Sequence, residues 1–177
     1  MKVIIDNIKH FIHIHNSPIS LENNAVIACT SDIRAPGWFD LFPDELKLIL
    51  TFNDVEDNRN SNAMTIYQAQ EVSRFVKKCF SKKTESLFVC CDSGESRSTA
   101  IAASIIRYYS RGKNYGFIIF PDEKRIWSNW RYHPNIYVYR LVSSAFSMKT
   151  STLGIFIRKR TSEKALYNKI NSSRNRV

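Results

Sequence analysis

Residues that break regular structure are scarce in this chain, with five glycines and five prolines among 177. That scarcity excludes a collagen-like or low-complexity polymer, and the length favours a single domain of ordinary size. Long apolar runs are also missing, and none approaches the roughly 18 residues that a membrane span needs. At the N-terminus, Asp6 interrupts Val3-Ile4-Ile5 before a signal-peptide core can form. The expectation is a soluble, cytoplasmic protein without a membrane span. Cysteine is limited to Cys29, Cys79, Cys90 and Cys91. With no secretion signal and no framework spacing, reduced thiols are expected rather than disulfides. Zinc is disfavoured, because Cys90 and Cys91 are adjacent and no second Cys/His pair has ligand spacing.

Acidic residues are nearly absent from one end. From Lys149 onward there are eight Lys/Arg and a single acid, Glu163, so this stretch carries +7 of the formal +10 and residues 1–148 carry +3. The basicity belongs to an appendage. Residues 1–148 are expected to form the domain, and 149–177 a basic C-terminal extension. The extension could meet an acidic partner or nucleic acid, but it has few aromatics and no nucleic-acid motif, so a solvated, partly disordered segment is the simpler expectation. Leu153–Ile157 could add a strand to it.

What the chain does have is a 44% hydrophobic composition, enough for one core. Short apolar runs at Val3–Ile5, Ala25–Cys29, Leu46–Phe52 and Ser86–Cys90 read as strands, those at 25–29 and 86–90 continuous enough to be buried on both faces. Between the second and third lies a turn-rich loop, Thr30 to Pro43, with Trp38 and Phe39 expected on its surface. Helical spacing marks Thr65–Phe80, where Ile66, Ala69, Val72, Phe75, Val76 and Phe80 share a stripe. Ser98–Ser110 reads as a helix ended by Arg111-Gly112, and Pro134 introduces another over Asn135–Phe146. Strands alternating with helices predict an α/β fold with a central, mostly parallel sheet flanked by helices.

Chemistry concentrates in Val89-Cys90-Cys91-Asp92-Ser93-Gly94-Glu95-Ser96-Arg97-Ser98. The segment follows a predicted strand and opens a predicted helix. Backbone N–H groups of residues 92–97 at such a helix start can converge on an anion, aided by the dipole. Gly94 allows the backbone to bend closely. Arg97 can fork two donors onto phosphate oxygens. The same positive field favours the thiolate of a cysteine at the loop start, and Ser98 can donate to its sulfur. Cys-x5-Arg alone is a weak signal. Gly94, Ser96, Ser98 and the strand–loop–helix context make it specific.

The segment resembles the signature loop of protein tyrosine and dual-specificity phosphatases, His-Cys-x-x-Gly-x-x-Arg-Ser/Thr. Residues 1–147 are similar to small bacterial and phage-type predicted tyrosine phosphatases, through the apolar strand at Ala25–Cys29, an Asp-bearing loop, the Ala-rich helix, and Pro134-Asn135 leading into Tyr139-Arg140-Leu141. Low-molecular-weight phosphatases and arsenate reductases carry Cys-x5-Arg near the N-terminus, and its central position here separates the chain from them.

The resemblance implies a phosphatase domain over 1–148, with the loop at the carboxyl end of a central strand. It also implies a phosphomonoester hydrolase acting on phosphoprotein through a phosphocysteine intermediate. Cys91 would be the nucleophile and Arg97 the phosphate clamp. Asp92, Ser93, Gly94, Glu95 and Ser96 would line the cradle, and no metal or cofactor would be needed. A general acid is implied on the loop after the third strand, where Asp54 is the first candidate and Asp57 the second. An RNA 5′-phosphatase of the same superfamily, or a non-catalytic phosphate-binding module, are the rival functions.

Two residues depart from the family pattern. Cys90 stands where a His is usual, and Glu95 adds an acid to the loop, its side chain expected to point away. Cys90 could be a small strand residue, or it could resolve an oxidised Cys91, as could Cys79. His10, His13 and His15 cluster near the N-terminus, more in keeping with a solvated segment than with a metal site. Trp127, Trp130, Arg131 and Tyr132 are expected to pack the core edge rather than line a pocket.

Overall fold

The computed structural model describes residues 1–8, 21–32, 37–57, 59–110 and 123–174. His10, His13, His15 and the helix stop at Arg111-Gly112 lie outside them. Four strands form one sheet: β1 (Lys2–Asn7), β2 (Asn24–Thr30), β3 (Lys47–Thr51) and β4 (Ser86–Cys91), in the order β1-β4-β2-β3. Every pairing is parallel. The helices are α1 (Ile66–Ser81), α2 (Arg97–Ser110), α3 (Glu123–Ser128), α4 (Ile136–Ala145) and α5 (Thr152–Arg174). This is the expected α/β layering, with β4 in the interior of the sheet. Among the described residues, no helix is long and apolar enough to cross a membrane.

Alternation along the strands divides the core in two. Ala25, Ile27 and Cys29 of β2, with Leu87, Val89 and Cys91 of β4, face α1, α2 and α4. Val26, Ala28, Phe88 and Cys90 face the other way, onto Trp38, Phe39 and Phe42. All seven residues of β2 are buried, which accounts for its unbroken apolar character. Trp38 and Phe39, expected on the surface, are 6% and 5% exposed. They sit in a short 3-10 helix, Gly37–Leu41, that covers this second face, and Trp38 Nε1 is satisfied by the Ile8 carbonyl at 3.0 Å. Burying such rings removes large apolar areas from water, and the tilted and edge-on contacts among Trp38, Phe39, Phe42 and Phe88 suit their quadrupoles.

Helix α1 starts where chain chemistry favours it. Thr65 Oγ1 accepts from the Gln68 amide at 3.2 Å, and Gln68 Oε1 accepts from the Thr65 amide at 2.8 Å, a capping box worth about 1 kcal/mol. Gln68 Nε2 also donates to the Thr51 carbonyl at 2.9 Å, tying the helix start to the end of β3. Of the predicted stripe, Ala69, Val72 and Val76 are fully buried, while Ile66 is 42% exposed.

The C-terminal segment differs most from expectation. Leu153–Ile157 does not join the sheet but opens α5, whose helix runs to Arg174. Arg158 Nε donates to Glu123 Oε1 at 2.9 Å, and Tyr139 Oη donates to the same oxygen at 2.8 Å. Ser162, 5% exposed, donates to the Tyr132 carbonyl at 2.9 Å. The helix is therefore held against the fold through residues 158–162, with Lys159 reaching Glu56 at 3.1 Å, where a solvated, partly disordered segment was expected. Trp127 is 3% exposed and meets Tyr139 edge-on at 5.2 Å, so it packs the core as expected. Trp130, by contrast, is 42% exposed, with Arg131 and Lys169 over its ring.

Candidate active site

The strand β4 ends at Cys91 and helix α2 begins at Arg97, so residues 92–96 form the turn between them. Cys91 Sγ lies 3.1 Å from Ser98 Oγ. Both are buried, Cys91 at 1% and Ser98 at 0% exposure. The strand direction aims Cys91 at the α2 start, and the first turn of α2 brings Ser98 back over it. Thr99 Oγ1 donates to the Glu95 and Ser96 carbonyls at 2.6 and 2.8 Å, and the His133 amide donates to the Glu95 carbonyl at 2.9 Å, fixing the turn from both sides.

Gly94 has φ +75°, a conformation that costs other residues strain. Its close neighbour is protein, not the space in front of the loop. A Cβ there would come within 2.9 Å of the Asp6 carbonyl carbon and the Asn7 amide nitrogen. The glycine thus lets the loop lie against the end of β1. Glu95 is exposed, in keeping with a side chain pointing away, and its amide donates to Ser93 Oγ at 3.3 Å inside the loop.

Arg97 is 4% exposed. Its Nη1 donates to the Phe52 carbonyl at 2.8 Å and to Ser31 Oγ at 3.0 Å, and its Nη2 donates to Asp92 Oδ2 at 2.5 Å. Among the described residues, Nε is buried and meets no acceptor. A buried guanidinium donor left unsatisfied is costly, and an acceptor brought to this edge would relieve that cost. Burial works against the charge, but the Asp92 carboxylate outweighs it and holds the group more firmly protonated than usual.

Asp54 follows β3 and reaches the same loop. Its Oδ1 accepts from Ser96 Oγ and from Asn135 Nδ2, both at 2.8 Å. Asn135 is 2% exposed, also donates to the Val55 carbonyl at 3.1 Å, and caps α4 by accepting from the Val138 amide at 3.0 Å. One side chain therefore fixes both a helix start and the candidate acid. Asp57 is turned elsewhere. It forms a forked pair with Arg59, whose Nε and Nη2 lie 3.0 and 2.7 Å from Asp57 Oδ2. The structure brings Cys91, Asp92, Ser96, Arg97, Ser98 and Asp54 together and leaves Asp57 aside.

Two contributors escaped sequence reasoning. Ser31 bridges Arg97 and Asp92, donating to Asp92 Oδ2 at 3.1 Å. Asn135 was read only as part of a helix start. Both act across 61 or more positions, and no local pattern signals that. The thiols also rearrange the redox reading. Cys90 faces the opposite side of the sheet from Cys91, so it cannot readily resolve it. The in-register neighbour of Cys91 on its own face is Cys29 of β2. Burial pushes the Cys29 thiol well above its ordinary range, with Cys91 adding to the shift and Arg97 opposing it. Burial likewise raises Cys90 well above its ordinary range, and pushes Cys79 up to about 11.

No protein-family model matches the chain, and no curated protein matches it either.

Proposed function

We propose that the chain is a cysteine-dependent phosphomonoester hydrolase of the tyrosine/dual-specificity type, acting on phosphoprotein. The observation that carries this reading is a nucleophile, its hydroxyl partner and an under-satisfied guanidinium on one strand-to-helix turn. Cys91 Sγ is 3.1 Å from Ser98 Oγ, and Arg97 Nε is buried without an acceptor among the described residues. A phosphoryl group offers the acceptors that this turn lacks.

The chemistry runs in two steps. The Cys91 thiolate attacks phosphorus, and the S–P bond forms as the ester P–O bond breaks. Arg97 and the loop amides hold the equatorial oxygens as charge develops. Asp54 gives its proton to the leaving oxygen. Water then attacks the phosphocysteine, the Asp54 carboxylate takes the water's proton, and inorganic phosphate leaves. Ser98 donates to the departing sulfur, which returns as thiolate. Asp54 suits both roles because Ser96 and Asn135 hold it beside the loop.

The deciding assay is turnover of p-nitrophenyl phosphate, phosphotyrosine and phosphoserine peptides, and triphosphorylated RNA, with Cys91→Ser as control. Peptide turnover abolished by Cys91→Ser supports the reading. Preference for the RNA would move the substrate to nucleic acid, and no turnover with tight phosphate binding would leave a binding module.

A further inference from the structure

The groups a phosphate must meet are nearly sealed. Cys91 is 1% exposed and Arg97 is 4% exposed, while the Asp92 side chain between loop and solvent is 47% exposed. Arg97 offers anions its side-on fork, Nε together with Nη2. Asp92 Oδ2 already occupies Nη2 at 2.5 Å, and Nε has nothing. Ser31 Oγ donates to the same Asp92 oxygen at 3.1 Å and so holds the carboxylate in place. Asp92 thus sits where one oxygen of a forked phosphate would sit, but a lone carboxylate oxygen fills only half of the fork.

We propose that Asp92 is an internal counter-anion that competes with the substrate for Arg97, and so sets the affinity of the site for oxyanions. The proposal rests on the reading of this loop as a phosphate cradle. Two facts make it physically coherent. A guanidinium this buried needs a negative partner when the site is empty, or its desolvation is uncompensated. A dianion entering beside an undisplaced Asp92 meets a like charge within hydrogen-bonding distance of the same nitrogen. Binding therefore requires the Asp92–Arg97 pair to open, and the free energy of that pair is subtracted from the affinity. Asp92 is a specificity-determining residue on this account: it acts on which anions enter, by charge, and takes no part in bond making.

The test is the affinity for tungstate, a non-reactive tetrahedral dianion, measured by calorimetry on the full chain and on Asp92→Asn. Asparagine keeps the size and loses the charge. The half-exposed carboxylate belongs at the low end of what a charge-assisted hydrogen bond contributes, so Asp92→Asn is expected to bind tungstate about tenfold more tightly, about 1.4 kcal/mol. Should the amide disturb the loop, as judged by circular dichroism, Asp92→Ser carries the same expectation. Equal or weaker binding by the charge-free variant, with tungstate bound by the unaltered chain, overturns the Asp92 proposal and leaves the phosphatase reading standing. If neither protein binds tungstate, the cradle itself is wrong and both readings fail.

Discussion

Ser98 Oγ, on the second residue of α2, stands 3.1 Å from Cys91 Sγ, seven positions further along the chain. A hydroxyl so placed can stabilise negative charge on sulfur whenever the sulfur is attacking or leaving. Hydrogen bonds to charged groups contribute about 1.5–3 kcal/mol, so Ser98→Ala is expected to slow hydrolysis of the phosphocysteine about ten- to a hundredfold. Stopped-flow assays with p-nitrophenyl phosphate should then show a burst of nitrophenol followed by slow turnover. A uniform loss without a burst would place Ser98 in another role.

Asp54 should matter most where the leaving group is poor. Loss of a general acid typically costs about 10²–10⁴ in rate. Asp54→Asn is therefore expected to lose far more activity on alkyl phosphates than on p-nitrophenyl phosphate. Asn135→Ala should reproduce part of that leaving-group dependence, since Asn135 positions Asp54 at 2.8 Å, and should also cost about 1 kcal/mol of stability as a lost helix cap. Asp57→Asn should leave the leaving-group dependence unaltered, because Asp57 is paired with Arg59.

Gly94→Ala tests why the glycine is there. The residue combines φ +75° with a Cβ position 2.9 Å from the backbone of Asp6 and Asn7. Left-handed strain and the forced movement of β1 together should destabilise the fold by about 2–4 kcal/mol, read from denaturant midpoints. An unchanged midpoint would show that loop and β1 can part freely.

The buried thiols predict an alkaline loss of stability. Burial pushes the Cys79 thiol up to about 11 from its ordinary value of 9.0. Its folded value is raised, so its contribution is fully present below about pH 9 and is lost as pH rises through about 11. Cys29 and Cys90 shift in the same direction. Unfolding free energy should fall from about pH 9 upward, by up to about 1.4 kcal/mol per pH unit for each thiol. Cys79→Ala should shallow the slope, and an unchanged slope would remove that thiol from the cause.

The candidate loop was legible in the sequence because its parts are local: cysteine, glycine, arginine and hydroxyl lie within eight residues, between an apolar run and an alanine-rich helix. The parallel strands were legible for the same reason, since Ala25–Cys29 is buried on both faces and its composition says so. Long-range partners were not. Ser31 reaches Asp92 across 61 positions and Asn135 reaches Asp54 across 81, and no local pattern signals either contact. Trp38 and Phe39 lie in a turn-rich stretch, and their burial follows from the uncovered second face of the sheet, a tertiary fact. Leu153–Ile157 is too short for periodicity to separate strand from helix, and the longer basic segment resolved it as helix. Cys90 facing away from Cys91 was available from strand alternation, whereas Cys29 as the sheet neighbour needed the strand order.

The central claim is that sulfur on Cys91 becomes bonded to phosphorus. Acid-quenching the protein during incubation with p-nitrophenyl phosphate, then mapping the phosphoryl group by peptide mass spectrometry, tests it most directly. The account predicts a phosphoryl adduct on Cys91, enriched in Ser98→Ala, with neither adduct nor turnover in Cys91→Ser. Turnover that survives Cys91→Ser, or a phosphoryl group found on another residue, would contradict it.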